Sequence, residues 1–331
     1  MTLPSRFRSF RIHNADRAHR AGIEEIALDD LSPGELVIKT AYSSVNFKDA
    51  LAGTGEGKIL RKFPLVGGID VAGHVVASTD TRFRDGDAVL CVGAGLSETR
   101  DGGYSGYARL EAANTVALPA GLDLREAMIL GTAGFTAGLA LLRMQDNHQA
   151  PDMGPIVVTG ATGGVGMLAI AVLARAGYEV HAISGKPEHA GFLEKLGAKQ
   201  VLPRKELQLG QRPLENAIWA GAIDTVGGEM LAGLTRTTMP CGNIAVCGLA
   251  GGHGLTTTVM PMILRGVSLL GVATTSPPHA QRLDVWQRLA GPWKPAHLEA
   301  ICTRTIGLDE LPQVFPTMLA GGSFGRTLVR L

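Results

Sequence analysis

The chain has 331 residues, of which 45% are hydrophobic and 18% are charged, and its formal net charge at pH 7 is +1. This length predicts two domains, because single hydrophobic cores stop growing at roughly 250–300 residues. The near-zero net charge provides no field that would attract nucleic acid or an anionic membrane, and the four cysteines lack a Cys-x-x-Cys pair, so that reduced thiols in the cytoplasm are expected.

The first 120 or so residues are predicted to be rich in β-strands. The segment "FRSFRI" near the N-terminus has a β-like pattern, and no apolar secretory-signal region accompanies it. Further short apolar or alternating runs are separated by Gly, Asp and Pro turns, and they read "GELVIKTAYSSVN", "DVAGHVVAS", "GDAVLCVG" and "YARLEAANTVAL".

A long helix is predicted to follow, because the stretch "DLREAMILGTAGFTAGLALLRMQ" is apolar at helical spacing. Asp123 is the predicted N-cap. No apolar run in the chain is expected to be long and uncharged enough to cross a membrane.

From Pro155 onward, apolar strands alternate with helical stretches. The six predicted strands read "PIVVTG", "YEVHAISG", "KQVLP", "GAIDTVGG", "NIAVCG" and "VSLLGV". This alternation predicts an α/β fold with a parallel sheet and helices on both faces, which is the doubly wound dinucleotide fold. The final strand, "GRTLVRL", is predicted to rejoin the N-terminal β-rich domain.

The segment "VVTGATGGVG" joins the first of these strands to a helix, and Ala161, Gly163 and Gly166 occupy its G-x-G-x-x-G positions. A glycine at 163 would allow a pyrophosphate to approach the backbone, and a glycine at 166 would allow the helix to pack close to the strand. The helix N-terminus would supply N–H groups and partial positive charge. The alternative interpretation is a merely tight turn.

The end of the second strand indicates which dinucleotide binds. An NAD site needs a carboxylate there for the ribose 2′-hydroxyl, but Ser184 stands at that position and Gly185 and Lys186 follow. Together with Arg204, just after the third strand, these residues favour the 2′-phosphate of NADP. In the alternative interpretation, Lys186 and Arg204 are solvated surface cations.

The order of a β-rich domain, a dinucleotide fold and a returning strand resembles the medium-chain dehydrogenase/reductase superfamily. The resemblance implies a GroES-like catalytic domain over residues 1–125 and 298–331 and a Rossmann NADP-binding domain over 126–297. In the zinc-dependent members Cys, His and Glu stand where this chain has Asn46, Ile69 and Asp70, and "LSETRDGGYSGYARL" contains no structural-zinc cysteine. The sequence therefore predicts an enzyme with no metal site.

Several longer motifs resemble the acrylyl-CoA reductase family, whose members are often labelled YhdH-type quinone oxidoreductases. They include "HAISGK", "LGAKQVLPR", "CGLAGG" and "TTVMPMILRGVSLLGV". The resemblance implies NADPH-dependent reduction of acrylyl-CoA to propionyl-CoA, in a homodimer formed through the edge of the dinucleotide sheet. An NADPH-dependent quinone or enone oxidoreductase and a non-catalytic NADPH-binding protein are the alternatives.

The resemblance also implies which residues bind the cofactor. The pyrophosphate loop is Thr162, Gly163, Gly164 and Val165. The 2′-phosphate site is Ser184, Gly185, Lys186 and Arg204. The residues toward the nicotinamide are Tyr42, Leu249, Ile263, Thr274 and, from the returning strand, Arg326. Leu249 and Ile263 are equally compatible with an ordinary place in the core.

Tyr42 and Asn46 are the predicted catalytic residues. A phenol can donate a hydrogen bond or a proton to the reacting substrate, although Tyr42 is equally suited to positioning the nicotinamide. Asn46 and Asp49 share one face if "VNFKDALAG" begins a helix, and capping that helix is the alternative role for both. Lys48, Arg61 and Lys62 are suited to CoA phosphates, but solvation at the surface is the favoured interpretation.

Overall fold

A computed structural model describes residues 4–15 and 18–331 of the chain. The described residues form sixteen strands, which are β1 (Phe7–Ala15), β2 (Ala18–Ile26), β3 (Leu36–Val45), β4 (Leu65–Val66), β5 (Asp70–Ser78), β6 (Ala88–Val92), β7 (Tyr107–Leu110), β8 (Val116–Ala117), β9 (Ile156–Val158), β10 (Val180–Ser184), β11 (Ala198–Pro203), β12 (Trp219–Asp224), β13 (Thr238–Val246), β14 (Ser268–Gly271), β15 (Cys302–Ile306) and β16 (Arg326–Arg330). The α-helices of the same residues are α1 (Phe47–Thr54), α2 (Leu124–Asp146), α3 (Gly164–Arg175), α4 (Ala190–Lys195), α5 (Gly228–Thr237), α6 (Met260–Arg265), α7 (His279–Ala290), α8 (Leu298–Ile301) and α9 (Leu311–Leu319).

The chain divides into two compact units. The first unit comprises the described part of Met1–Thr132 together with Thr274–Asp284 and Leu298–Leu331, and the second comprises Ala133–Ala273 and Val285–His297. Residues 126–132 and 274–284 thus lie in the first unit, whereas the domain boundaries expected from the sequence place them in the second.

The first unit is built from β-sheets. One sheet has the order β2-β1-β4, and the larger has the path β15-β16-β3-β5-β6-β8, with β7 also paired to β3. The apolar side chains of Leu36, Ile38, Val71, Val75 and Val89 share one of its cores. Strand β16 is antiparallel to β3, with Val329 opposite Ser43, so the predicted return of the last strand to this unit is confirmed.

The second unit contains a six-stranded sheet in the order β11-β10-β9-β12-β13-β14, and every neighbouring pair is parallel. Numbered within the unit, this order is 3-2-1-4-5-6, which is that of the doubly wound dinucleotide fold. From β9 the chain adds β10 and β11 on one side of the sheet and then β12, β13 and β14 on the other, so the topological switch point lies between β9 and β12. Ligands of such folds bind outside the carboxyl ends of the strands at that point. The six predicted strands and their parallel arrangement are therefore confirmed.

Helix α2 is the long helix predicted from the sequence, and the backbone N–H of Glu126 donates to the Asp123 carboxylate at 2.7 Å, as expected of an N-cap. The helix is interrupted at Gly131, whose φ of 48° and ψ of −153° are not helical. Contrary to the expectation, α2 is long and apolar enough to cross a membrane, but 89% of its apolar window is buried inside the protein. Such burial is typical of a core helix.

Candidate functional site

The loop between β9 and α3 brings together the four residues of the predicted pyrophosphate loop. Gly163 is the N-cap of α3, and no side chain caps the helix there. The first N–H groups of a helix have no intrahelical partner and carry partial positive charge, so this end of α3 is suited to an anion. A side chain at Gly166 would place its Cβ 2.3 Å from the carbonyl oxygen of Gly160, so only glycine allows this close packing of helix on loop.

The predicted 2′-phosphate residues lie together at the carboxyl ends of β10 and β11. The Ser184 hydroxyl accepts from the N–H of Lys186 at 3.0 Å, and the N–H of Arg204 donates to the Ser184 carbonyl at 2.8 Å. The guanidinium of Arg204 lies beside Gly185, since a Cβ there would be 3.6 Å from its Cζ. Within the described ranges no carboxylate pairs with Arg204, which leaves its charge available for a phosphate.

A buried carboxylate that the sequence did not single out links two loops at the same edge of the sheet. Asp224, at the end of β12, is fully buried and accepts from the Thr159 hydroxyl at 2.7 Å and from the N–H of Gly227 at 2.8 Å. Burial raises the pKa of its carboxyl. Asp224 thereby connects the loop after β9 to the turn after β12. The sequence feature that could have indicated this role is the position of Asp224 in "IDTVGG", at the end of a strand.

The residues expected near the nicotinamide lie in both units. Leu249 is 62% and Ile263 is 73% exposed, so the alternative that they are core residues is wrong. Thr274 belongs to the first unit, where a Cβ at Gly93 would lie 3.0 Å from its carbonyl oxygen. Contact of Leu249, Ile263 and Thr274 with a nicotinamide stays a prediction.

A buried polar cluster in the first unit surrounds Asp70, the first residue of β5. Its carboxylate accepts from the N–H of Thr132 at 3.0 Å, from the Thr132 hydroxyl at 2.5 Å and from the Asn46 amide nitrogen at 2.8 Å. The Ser44 hydroxyl also donates to it, and the Arg326 guanidinium lies 3.7 Å away. A buried carboxylate with this many donors is well compensated for its loss of hydration.

Arg326, at the start of β16, is 3% exposed and directs its donors into this cluster. It donates to the carbonyls of Ile129 and Val45, to the Asn46 amide oxygen at 3.0 Å and to the Ser44 hydroxyl at 2.6 Å. Burial lowers the pKa of the guanidinium. The arrangement gives Arg326 protein partners throughout, and the contact with a cofactor expected from the family stays a prediction.

The break in α2 makes room for this cluster. A Cβ at Gly131 would lie 2.5 Å from an Asp70 carboxylate oxygen and 2.8 Å from both the Arg326 guanidinium and the Ser44 hydroxyl. Its φ of 48° also favours glycine. The break could not be predicted from the sequence, because the apolar spacing of α2 continues through it.

Asn46 and Asp49 occupy the start of α1, which begins at Phe47. The N–H of Asn46 donates to the Asp49 carboxylate at 2.9 Å, so the capping interpretation is confirmed for Asp49. Asn46 is the N-cap residue, but its side chain makes no capping hydrogen bond. Asp49 also accepts from the N–H of Ile69 at 2.9 Å. Burial, and then the charge of nearby Asp70, raise the pKa of Asp49 to about 7.

We expect Asp49 to make the free energy of unfolding fall as pH rises from about 4 to about 7. The pKa of its carboxyl rises from 3.8 to about 7 on folding, so in this window the folded protein holds a proton that the unfolded chain has lost. One such proton changes the free energy of unfolding by at most about 1.4 kcal/mol per pH unit. Urea unfolding across this window should show a flatter pH dependence for Asp49→Asn than for the wild type, and equal slopes would contradict the assignment.

Tyr42 lies on β3, where it pairs with Arg330 of β16. Because side chains two residues apart on a strand share a face, Tyr42 points to the same side as Ser44, which contacts Asp70. The phenol is half-buried, and its hydroxyl bonds no protein group among residues 4–15 and 18–331. It is therefore available to a ligand beside the Asp70 cluster.

Of the three positions that hold zinc ligands in related enzymes, two carry no usual metal donor, and the third, Asp70, has its carboxylate engaged by protein donors. The Asn46 amide is bonded to Asp49, Asp70 and Arg326, and Ile69 offers no ligand atom. Nowhere in the described part of the chain do three or more His, Cys, Asp or Glu side chains form a group that could hold a metal ion.

A β-rich unit with a returning C-terminal strand and a dinucleotide fold in 3-2-1-4-5-6 order define a medium-chain dehydrogenase/reductase. The profile "Alcohol dehydrogenase GroES-like domain" matches residues 32–120, and "Zinc-binding dehydrogenase" matches residues 164–290. The chain is 45% identical over 311 residues to the acrylyl-CoA reductase AcuI of Ruegeria pomeroyi, covering 94% of each chain. It therefore belongs to the acrylyl-CoA reductase family of medium-chain dehydrogenases/reductases, and the resemblance seen in its motifs is confirmed.

Two further relatives have solved structures. The yhdH oxidoreductase of Salmonella enterica in complex with NADP is 44% identical, with a TM-score of 0.94 and coverage of 98% of this chain and 99% of that one. The YhfP protein of Bacillus subtilis, which is named as a quinone oxidoreductase, is 43% identical over 310 residues, covering 93% of this chain and 94% of that one. Its structure with NAD bound has a TM-score of 0.95, with 40% identity and coverage of 99% and 100% of the two chains.

Proposed function

We propose that this protein reduces acrylyl-CoA to propionyl-CoA with NADPH and without a metal ion. The observation that carries the proposal is the 45% identity to the Ruegeria pomeroyi acrylyl-CoA reductase over 94% of both chains. The site agrees with this chemistry, because a helix N-terminus for a pyrophosphate and an unpaired Arg204 for a 2′-phosphate lie at neighbouring strand ends. The reaction makes the protein an oxidoreductase acting on a CH–CH group.

The reduction of an α,β-unsaturated thioester needs a hydride at the β-carbon, stabilisation of the enolate and a proton at the α-carbon. NADPH, when bound, supplies the hydride. Residues Thr162–Val165 would hold its pyrophosphate, and Ser184–Lys186 with Arg204 would hold its 2′-phosphate. Tyr42 would donate a hydrogen bond to the thioester carbonyl and a proton to the enolate. Asn46 would hold the residues around Asp70 in place through its bonds to Asp49 and Asp70.

The test is NADPH oxidation with acrylyl-CoA, crotonyl-CoA and benzoquinone side by side, in protein that has been exhaustively chelated. We expect the highest kcat/KM with acrylyl-CoA and no loss of activity on chelation. Faster turnover of benzoquinone would favour the quinone or enone oxidoreductase, which the name of the Bacillus subtilis relative suggests. NADPH binding without turnover of any substrate would indicate a non-catalytic binder. Activity that is lost when chelation removes zinc would overturn the metal-free proposal.

We also propose that the protein acts in the cytoplasm as a homodimer joined through the edge of the second unit's sheet. All four cysteines are free thiols, as a reducing compartment would keep them. Strand β14 ends the six-stranded sheet and so offers an unpaired edge. The segment before it exposes large apolar side chains, including Val259 at 66% and Leu264 at 61%.

The double variant Val259→Glu, Leu264→Glu is expected to weaken this dimer by about tenfold or more, because it places charge in an apolar interface. Sedimentation equilibrium of wild type and variant measures the change. Leu283→Glu, at a comparably apolar but 38% exposed position in the first unit, is the matched control and should remain dimeric. A monomeric wild type would contradict the proposal.

A further inference from the structure

The first unit exposes two aromatic rings and two cations on two segments, which are Phe47 at the start of α1 and Arg61–Phe63 before β4. Glu98 links these segments, because it contacts both Arg61 and Lys48. These four residues are called the cation–aromatic surface. We propose that this cation–aromatic surface binds the nucleotide end of the CoA thioester, with the two cations on its phosphates and a ring against its adenine. The inference rests on the proposed function and adds a substrate subsite to it.

The surface is close to the Asp70 cluster through a chain of direct contacts. The N–H of Arg61 donates to the carbonyl of Glu98 at 2.7 Å, and the carboxylate of Glu98 pairs with Lys48. Lys48 of α1 lies two residues after the N-cap residue Asn46, and Asn46 contacts Asp70. The acyl end of a long thioester would lie beside Tyr42 and Asp70, and its nucleotide end could extend over this neighbouring surface.

The charges on the surface suit phosphate groups. Glu98 already pairs with Lys48, which is therefore the least suited of the three cations considered from the sequence. Arg61 and Lys62 are both exposed, and neither forms an ion pair with any residue in the described ranges. Two adjacent cations whose charge is not balanced by the protein attract the phosphates of a nucleotide.

The rings supply the second part of the recognition. Phe63 is 42% and Phe47 is 44% exposed. In the described part of the first unit, Leu283 is the one other large apolar side chain with similar exposure. A planar base gains affinity by stacking on such a ring, and the ring loses contact with water at the same time. Phe63 directly follows the two cations, so one base and its phosphates could be bound by three consecutive residues.

The decisive experiment compares two thioesters, acrylyl-CoA and acrylyl-N-acetylcysteamine, which lacks the nucleotide. The double variant Arg61→Ala, Lys62→Ala is expected to lower kcat/KM for acrylyl-CoA by about 100-fold or more, because two charge-assisted contacts are lost. Its kcat/KM for the truncated thioester and its KM for NADPH should be unchanged. Phe63→Ala should also lower kcat/KM for acrylyl-CoA alone.

Arg84→Ala is the matched control, because Arg84 is an exposed arginine of the first unit that lies after the far end of β5 from Asp70. It should leave both substrates unaffected. Equal losses with both thioesters, or no loss with either, would overturn the subsite. Calorimetric titration with adenosine 3′,5′-bisphosphate separates this outcome from failure of the proposed activity. Binding that the double variant loses supports the subsite even if no thioester is reduced, and absence of binding to the wild type overturns it.

Discussion

Replacement of Tyr42 by phenylalanine is expected to lower kcat for acrylyl-CoA by about 10²–10⁴-fold, which is the range for loss of a positioned general acid. The hydroxyl is on the face of β3 that carries Ser44, and it bonds no protein group in the described ranges, so that it is free to meet the substrate. The ring remains in the variant, and NADPH binding should therefore persist. Steady-state kinetics at saturating NADPH measure the loss.

Two measurements separate proton donation from positioning of the cofactor. If Tyr42 donates the proton, slow protonation in the variant should enlarge the solvent isotope effect on kcat. If Tyr42 only positions the nicotinamide, the KM for NADPH should rise while kcat stays near that of the wild type, and this result would remove the proton-donor role. Tyr107→Phe is the matched control, since Tyr107 is also a half-buried tyrosine of the first unit, on a strand paired to β3.

Arg204→Ala is expected to weaken NADPH binding by about 10–150-fold, or roughly 1.5–3 kcal/mol, and to leave NADH binding nearly unchanged. The reason is that Arg204 lies beside Gly185 at the end of β10, where a cation can reach the 2′-phosphate that NADH lacks. Fluorescence titration with each cofactor measures the two affinities.

Lys205→Ala is the control for the Arg204 variant, because it removes an exposed cation from the adjacent position. It should change neither affinity by more than a small factor. Equal weakening of NADPH and NADH by Arg204→Ala would show that the residue does not discriminate between them. The comparison is informative in this family, in which one relative has been solved with NADP and another with NAD.

All six strands of the second unit could be predicted from the sequence. Each strand is a short apolar run, and each is followed by a local signal such as the glycines before α3 or Ser184 at the end of β10. A parallel sheet buries both faces of its strands, so the pattern that identifies a strand and the pattern that identifies the core are the same. The six strands were predicted correctly for this reason.

The polar cluster of the first unit could not be predicted in this way. Its members come from β3, α1, β5, the break in α2 and β16, and no spacing in the sequence reports that these segments meet. The family resemblance points to Asn46 and Asp70, but the apolar spacing predicts an uninterrupted helix through Gly131 and Thr132. The interpretation of Leu249 and Ile263 as core residues is wrong because an apolar side chain is buried only where other residues pack against it. The sequence does not show whether such residues are present.

The placement of Arg326 on the last strand has a consequence for synthesis of the chain. Arg326 is separated from Asn46 by 280 residues, and a ribosome needs on the order of tens of seconds to cover that length. Throughout this interval the Asp70 carboxylate lacks the guanidinium that lies 3.7 Å from it in the complete protein, and β3 lacks one of its neighbours. The continuous segment Ala133–Ala273 of the second unit is complete well before then. The polar cluster beside Tyr42 therefore cannot be completed until the last strand has been synthesised, after the whole of Ala133–Ala273.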